Sequence, residues 1–365
     1  MSDRTIIFVT SHAAKGGTRD YIELLERRFE AEGYDVHAVS LYRGEAKEVS
    51  GFDLMLDRER IGLRDLVPIL IRLVRTCRAR RPFVIIGVMP FANIFGALAS
   101  RLCGALFIAT HHSPTEVWQG WVGAADRLFA RLGLYDRVVC VSNAVAASFR
   151  SGYGRAFHAR IETIANGARD MKPERGAREV RQALGLAEGE AFILMVGRLV
   201  EQKNVVAAAK AAEMTSNIRL VLAGEGPLRP ALEQMSSSKI TLLGDVSRQT
   251  VADLLHACDA FMQVSLYEGH SLALLEAIRA QRPLIVSDVP SQIEAVRTAS
   301  GGMAALVCDP FDVGGIARAM EAAMTDRGRR EALLREVRFL SEHIPTEAEM
   351  LNAYSSLVGR IECYI

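Results

Sequence analysis

Glu268 and Glu276 stand eight residues apart in the segment EGHSLALLE, and two carboxylates at that spacing cannot share one proton as an acid/base dyad does. On a continuous helix they would lie about 12 Å apart along the axis. With Glu268 in the loop before a helix and Glu276 two turns inside it, the pair can instead hold the two ends of one elongated ligand. The apolar run 260–265 reads as a strand, and Gly269 lets the backbone turn into a helix whose unpaired N–H groups face the strand ends. Such a helix start favours an anion, so the implied ligand is extended, hydroxylated and phosphorylated, as a nucleotide sugar is. Standing alone, the spacing favours a plainer reading: a solvated loop glutamate and a locally paired one.

Its company changes that balance. GRLVEQKN (197–204) follows an apolar strand at 192–196, GEGP (224–227) follows another at 219–223, and Pro283 leads a strand at 284–287 with Asp288 behind it. In these residues the chain resembles the family-four retaining glycosyltransferases of the GT-B fold, over roughly 190–310 by specific motifs and elsewhere by pattern. The resemblance implies an α/β chain with two Rossmann-like doubly wound domains facing each other across a cleft. It also implies transfer of a sugar from a nucleotide-diphosphate sugar to a hydroxyl of a glycan or lipid-linked acceptor, with retention of anomeric configuration. Glu276 would then bind the donor's ribose and Glu268 hydroxyls of the transferred sugar. Gly197, Arg198, Lys203, Glu225 and the backbone of Gly269, His270, Ser271 and Leu272 would hold the rest of the donor. Arg198 and Lys203 are cations beside a helix start, suited to the charge that develops as a nucleoside diphosphate leaves. A diphosphate oxygen can itself take the acceptor's proton on this account.

In the first half, Lys15-Gly16-Gly17-Thr18 follows the first strand and opens a helix, where Gly16 and Gly17 allow a phosphate close to the backbone. His111 and His112 end the strand at 106–110. The family's strand-Thr-x-His pattern selects His112 as the residue contacting the sugar, with His111 the alternate. Ser142, Asn143, Asn166 and Gly167 also match family positions and are expected to shape the cleft. Two departures stand out: His270 where Phe or Pro commonly follows Glu-Gly, which leaves the sugar open, and Gln281-Arg282 where a Gly often precedes the Pro-led strand.

The elements that must position these residues alternate between strand and helix throughout. Strands are expected at 5–9, 36–40, 84–88, 106–109, 138–141 and 161–164, and again at 192–196, 218–223, 240–243, 260–264, 284–286 and 305–307. This gives an N-terminal domain over 1–170 on the acceptor side, a donor domain over 171–345, and a helix over 346–365 crossing back to the first. A length of 365 residues and 50% apolar content suit two cores. Residues 166–178, with Gly167, Pro173 and Gly176 among charges, read as the linker. The charge-free run 82–100 tempts a membrane span, but Pro90 and Asn93 divide it into a buried strand and a packed helix.

A net charge of +1 argues against bulk nucleic-acid binding. Six cysteines without Cys-x-x-Cys spacing read as buried apolar residues in a reducing compartment. No GxGxxG fingerprint with its downstream acid, Walker lysine or Gly-x-Ser-x-Gly elbow is present. Without an Asp-x-Asp element, no metal and no cofactor are expected. Arg72, Arg75, Arg78, Arg80 and Arg81 make a basic helix face that suits an anionic membrane as well as solvent, and Trp118 and Trp121 suit acceptor sugar, membrane or core. The expected setting is cytoplasmic, at the inner membrane face, in cell-envelope polysaccharide, lipopolysaccharide or glycolipid synthesis. Two rivals remain: a non-catalytic nucleotide-sugar-binding subunit and a GT-B-fold nucleotide-sugar epimerase.

Overall fold

The computed structural model describes residues 4–13, 17–46, 49–153, 160–235 and 237–363. It divides into one unit of Met1–Ala165 with Ala348–Ile365 and a second of Asn166–Glu347.

The first unit is a seven-stranded parallel sheet of β1 (Thr5–His12), β2 (Asp35–Tyr42), β3 (Asp53–Leu54), β4 (Val84–Val88), β5 (Leu106–His111), β6 (Arg137–Cys140) and β7 (Ile161–Thr163), in the order β3-β2-β1-β4-β5-β6-β7. Both faces are covered, which is why β1 and β4 read as unbroken apolar runs. Helices Leu66–Arg80, Pro90–Cys103, Gly120–Arg131 and Asn143–Tyr153 share one core with the sheet; Gly17–Ala31 and Glu347–Glu362 share the other. Tyr354, Leu357 and Val358 of that last helix are buried in the core of the first unit, and Arg4 and the Tyr34 hydroxyl both hydrogen-bond Glu362. The run 82–100 forms β4 and most of the helix after it, and among the described residues no helix is long and apolar enough to cross a membrane.

The second unit repeats the plan with β8 (Ala191–Val196), β9 (Ile218–Ala223), β10 (Ile240–Gly244), β11 (Ala260–Gln263), β12 (Leu284–Ser287) and β13 (Leu306–Cys308), all parallel, in the order β10-β9-β8-β11-β12-β13. The strand order reverses between β8 and β11, where the connections leave to opposite sides and open a crevice at the carboxyl ends.

Three expectations need correction. Residues 166–178 are not a free linker, because Asn166 bonds to His270, Ala168 pairs with Thr346, and the Glu174 and Arg175 N–H groups both donate to Asp253. These ties put 166–170 in the second unit and move the boundary to Ala165. The two-residue strand β3 was not foreseen, being too short to carry a period. Of the cysteines, Cys77, Cys140, Cys258 and Cys308 are buried, but Cys103 is half-buried and Cys363 exposed.

Candidate functional site

Two loops leave the neighbouring strands β8 and β9 of the second unit. After β8 comes Gly197, with φ +146°, a region L side chains rarely adopt. After β9 comes Gly224, also at φ +146°, and a Cβ there would lie 2.0 Å from the Gly197 carbonyl oxygen. The Leu199 N–H donates to the Glu225 carbonyl and the Leu228 N–H to that of Leu199. The GR and GEGP segments are therefore packed backbone to backbone, which explains their glycines without any ligand. Glu225 turns its side chain to Arg229, an exposed ion pair, so the expected donor contact of Glu225 is committed to a neighbour on the surface.

Lys203 ends a short helical turn, Glu201–Lys203, and its stem passes over Gly197. Its Nζ lies 2.6 Å from Glu268 Oε1. Glu268 follows β11 and is 6% exposed, so its charge is held by bonds rather than by water. The Gln263 side-chain amide nitrogen also donates to Oε1 at 2.8 Å, while the Gln263 side-chain amide oxygen accepts from the Ser271 hydroxyl. Ser291 donates to the Glu268 carbonyl, and Gln292 to that of Gln263. Both carboxylate bonds land on Oε1; among the described residues Oε2 has no partner. Arg198 is exposed and makes no side-chain ion pair among the described residues.

The helix after Glu268 runs Leu272–Arg279, and Ser271 caps it by accepting from the Leu274 N–H. It begins later than the turn at Gly269 suggested, and the N–H that Ser271 satisfies, that of Leu274, lies beyond the backbone of 269–272 expected to hold the diphosphate. Leu274, Leu275, Ala277 and Ile278 face the core, and Leu272 in its first turn is half-buried. Glu276 is half-buried on this helix and Gly269 is buried. The His270 Nδ1 accepts from the Asn166 N–H, and burial lowers its pKa to about 4, with Glu294 opposing.

Sequence reasoning missed Gln263, Ser291 and Gln292 in the cradle of Glu268, and named Ser271 for its backbone rather than for its hydroxyl. The available signal was Gln263 itself, a polar residue inside the apolar strand β11.

The remaining expected residues belong to the first unit. Gly16 lies outside the described residues; Gly17 begins the helix Gly17–Ala31, and nothing within 4 Å would oppose a Cβ there. His111 is fully buried, with Asp126 at 3.8 Å and Phe149 and Tyr153 against its ring. His112 is half-buried, its ring 4.7 Å from that of Tyr21. The Thr110 hydroxyl gives its proton to the Gly87 carbonyl and so accepts from His112 Nε2 at 3.1 Å, which fixes the neutral tautomer and leaves Nδ1 as acceptor. Burial, helped by neighbouring His111, lowers the His112 pKa to about 4. Trp121 is half-exposed against Phe91, and the Trp118 indole nitrogen is buried. A cavity of about 470 Å³ between the first helix and β2 is lined by Glu23, Glu26, Arg27 and Asp53 and holds none of these residues. The hollow at Gly197, Arg198 and Lys203 is only about 10 Å³.

A Bacillus subtilis (strain 168) chain named by its class, glycosyltransferase EpsF, is 32% identical over 215 residues, 54% of this chain and 55% of that one. The GDP-mannose-dependent alpha-(1-6)-phosphatidylinositol dimannoside mannosyltransferase of Mycobacterium tuberculosis (strain ATCC 25177 / H37Ra) is 31% identical over 179 residues, 47% and 45% of the two chains. The chain spans about half the length of the curated relatives it matches. Among solved structures, HepE of Anabaena in complex with UDP-glucose has a TM-score of 0.80 at 15% identity, covering 98% of this chain and 99% of that one, a likeness of fold. The family model described as Glycosyltransferase Family 4 matches residues 15–170, and that described as Glycosyl transferases group 1 matches 177–338. The chain thus belongs to the family-four glycosyltransferases and has the GT-B fold.

Proposed function

We propose that the chain moves a sugar from a nucleotide-diphosphate sugar to a hydroxyl of a glycan or lipid-linked acceptor, retaining anomeric configuration and using no metal. The observation that carries this reading is the Lys203–Glu268 pair, set at the carboxyl ends of β8 and β11 where the strand order reverses. Glu268 Oε2 accepts a hydroxyl of the transferred sugar, while Lys203, Arg198 and the backbone of 269–272 face the diphosphate. Glu276 binds the ribose. The bond from C1 to the phosphate oxygen breaks, its electron pair staying on the nucleoside diphosphate, and the acceptor oxygen bonds to C1. The acceptor's proton passes to a diphosphate oxygen, and His112, neutral at pH 7, accepts a sugar hydroxyl through Nδ1.

The names of the relatives support this reading: one is a GDP-mannose-dependent mannosyltransferase and one fold neighbour holds UDP-glucose. Synthesis of a cell-envelope glycan at the cytoplasmic face of the membrane is the setting, with the exposed arginines of 72–81 against anionic lipid. A thermal-shift screen of nucleoside diphosphates and nucleotide sugars, uridine first, followed by product analysis in excess EDTA, tests it. Stabilisation by one nucleotide and transfer that survives chelation are expected. Binding without turnover would favour a non-catalytic subunit, and isomerised donor without transfer an epimerase.

A further inference from the structure

Between Asp65 and Glu116 the chain carries six arginines and no Asp or Glu. The helix Leu66–Arg80 opens this stretch and buries Ile69, Leu73, Val74 and Cys77 against the sheet of the first unit. A surface helix is expected to be polar on its other side. The outer side of this one is polar only towards its end, for Leu63, in the short turn that leads into it, is 79% exposed, Val67 64% and Ile71 46%. Spacing of four residues puts these three on one stripe about 12 Å long, and the same stripe continues into exposed Arg75 and Arg78. The neighbouring acid, Asp65, is paired with Arg58.

We infer that this stripe is a membrane-docking edge: Leu63, Val67 and Ile71 enter the interface of an anionic bilayer while Arg75, Arg78 and Arg81 engage lipid phosphates. The inference deepens the membrane contact in the proposed function and rests on it. Charge identifies the occupant: Arg80 pairs with Asp53 and Arg101 with Asp136, but exposed Arg75, Arg78 and Arg81 make no ion pair among the described residues and complement an anionic surface. Shape agrees, because one convex helical stripe is far smaller than the roughly 800 Å² per partner of a stable protein interface, yet a few apolar side chains with basic neighbours hold a helix at a lipid surface.

The test is co-sedimentation with vesicles of phosphatidylcholine alone and with about 30 mol% phosphatidylglycerol. The intact chain should bind the anionic vesicles only. Leu63→Ser/Val67→Ser/Ile71→Ser should weaken that binding about tenfold or more, with unchanged circular dichroism, because each side chain sits in water in the free protein. Arg75→Glu/Arg78→Glu should abolish it. If the intact chain binds neither vesicle, the membrane part of the proposed function fails together with this inference. If the arginine variant loses binding but the serine variant keeps it, the electrostatic contact stands and the inserted stripe is refuted. Light scattering that shows a dimer broken by the serine variant, without vesicle binding, would assign the stripe to a second copy of the chain and overturn the proposal.

Discussion

Lys203 Nζ sits 2.6 Å from Glu268 Oε1, joining two loops 65 residues apart in sequence. The carboxylate is nearly enclosed and the ammonium one-fifth exposed, so the pair replaces hydration that both charges have lost. The first prediction follows from the second donor on the same oxygen. Because Gln263 still donates to Glu268, Lys203→Ala should cost only about 1.5–3 kcal/mol of stability, as expected for a charged hydrogen bond. Transfer should fall about 100-fold or more, as when one charge-stabilising donor is removed. A double-mutant cycle with Glu268→Gln, read by urea denaturation and by turnover, should show strong coupling; additive effects in both would remove the pair from the account.

Gly224→Ala should be far more damaging than its size suggests. A Cβ would sit 2.0 Å from the Gly197 carbonyl and would also force φ +146° on an L residue. A loss of at least about 3 kcal/mol is expected from clash and strain together. A midpoint unchanged in thermal denaturation would mean that the two loops are not packed as described.

Acid should destabilise the protein through buried neutral histidines. His112 and His270 are both held to about 4, below the ordinary histidine value, chiefly by burial. Between about pH 6.5 and 4 the unfolded chain binds protons that the folded chain refuses. Their contribution is therefore complete above 6.5 and falls by up to about 1.4 kcal/mol per histidine for each pH unit below it. Urea midpoints at pH 7.5, 6 and 5 should decline, and His112→Gln/His270→Gln should decline less steeply. Equal slopes would contradict the assignment.

Gln281 holds φ +54° at the end of the helix Leu272–Arg279, the position where the sequence departs from the family's usual glycine. The departure looked harmless in sequence because a helix end tolerates most residues; the backbone shows that it carries left-handed strain. Gln281→Gly should stabilise the second unit by roughly 0.5–1 kcal/mol, the relief of strain partly offset by glycine's greater freedom when unfolded. A lower denaturation midpoint would show that the Gln281 contact with Ser341 outweighs the strain.

What was legible in sequence, and what was not, divides along physical lines. Long apolar runs such as 192–196 and 218–223 announce strands because both sheet faces are covered, and glycines such as Gly197 and Gly224 mark the loops. Lys203 and Glu268 were recognisable as chemistry, but their pairing was not, since it depends on β8 and β11 becoming neighbours. The cradle of Gln263, Ser271, Ser291 and Gln292 stayed hidden for the same reason. Residues 166–170 misled because Gly and charge imply a free linker, whereas their bonding partners lie about 100 or more positions away.

The central claim is that Glu268 and Glu276 hold different ends of one donor, and calorimetric titration with the cognate nucleoside diphosphate tests it most directly. Glu276→Ala should weaken nucleotide binding by roughly 1.5–3 kcal/mol, the worth of hydrogen bonds to a charged group. Glu268→Gln, which keeps the shape of the cradle, should bind the nucleoside diphosphate nearly as the intact chain does and lose sugar transfer. If Glu268→Gln loses nucleotide affinity while Glu276→Ala retains it, the donor does not lie as proposed.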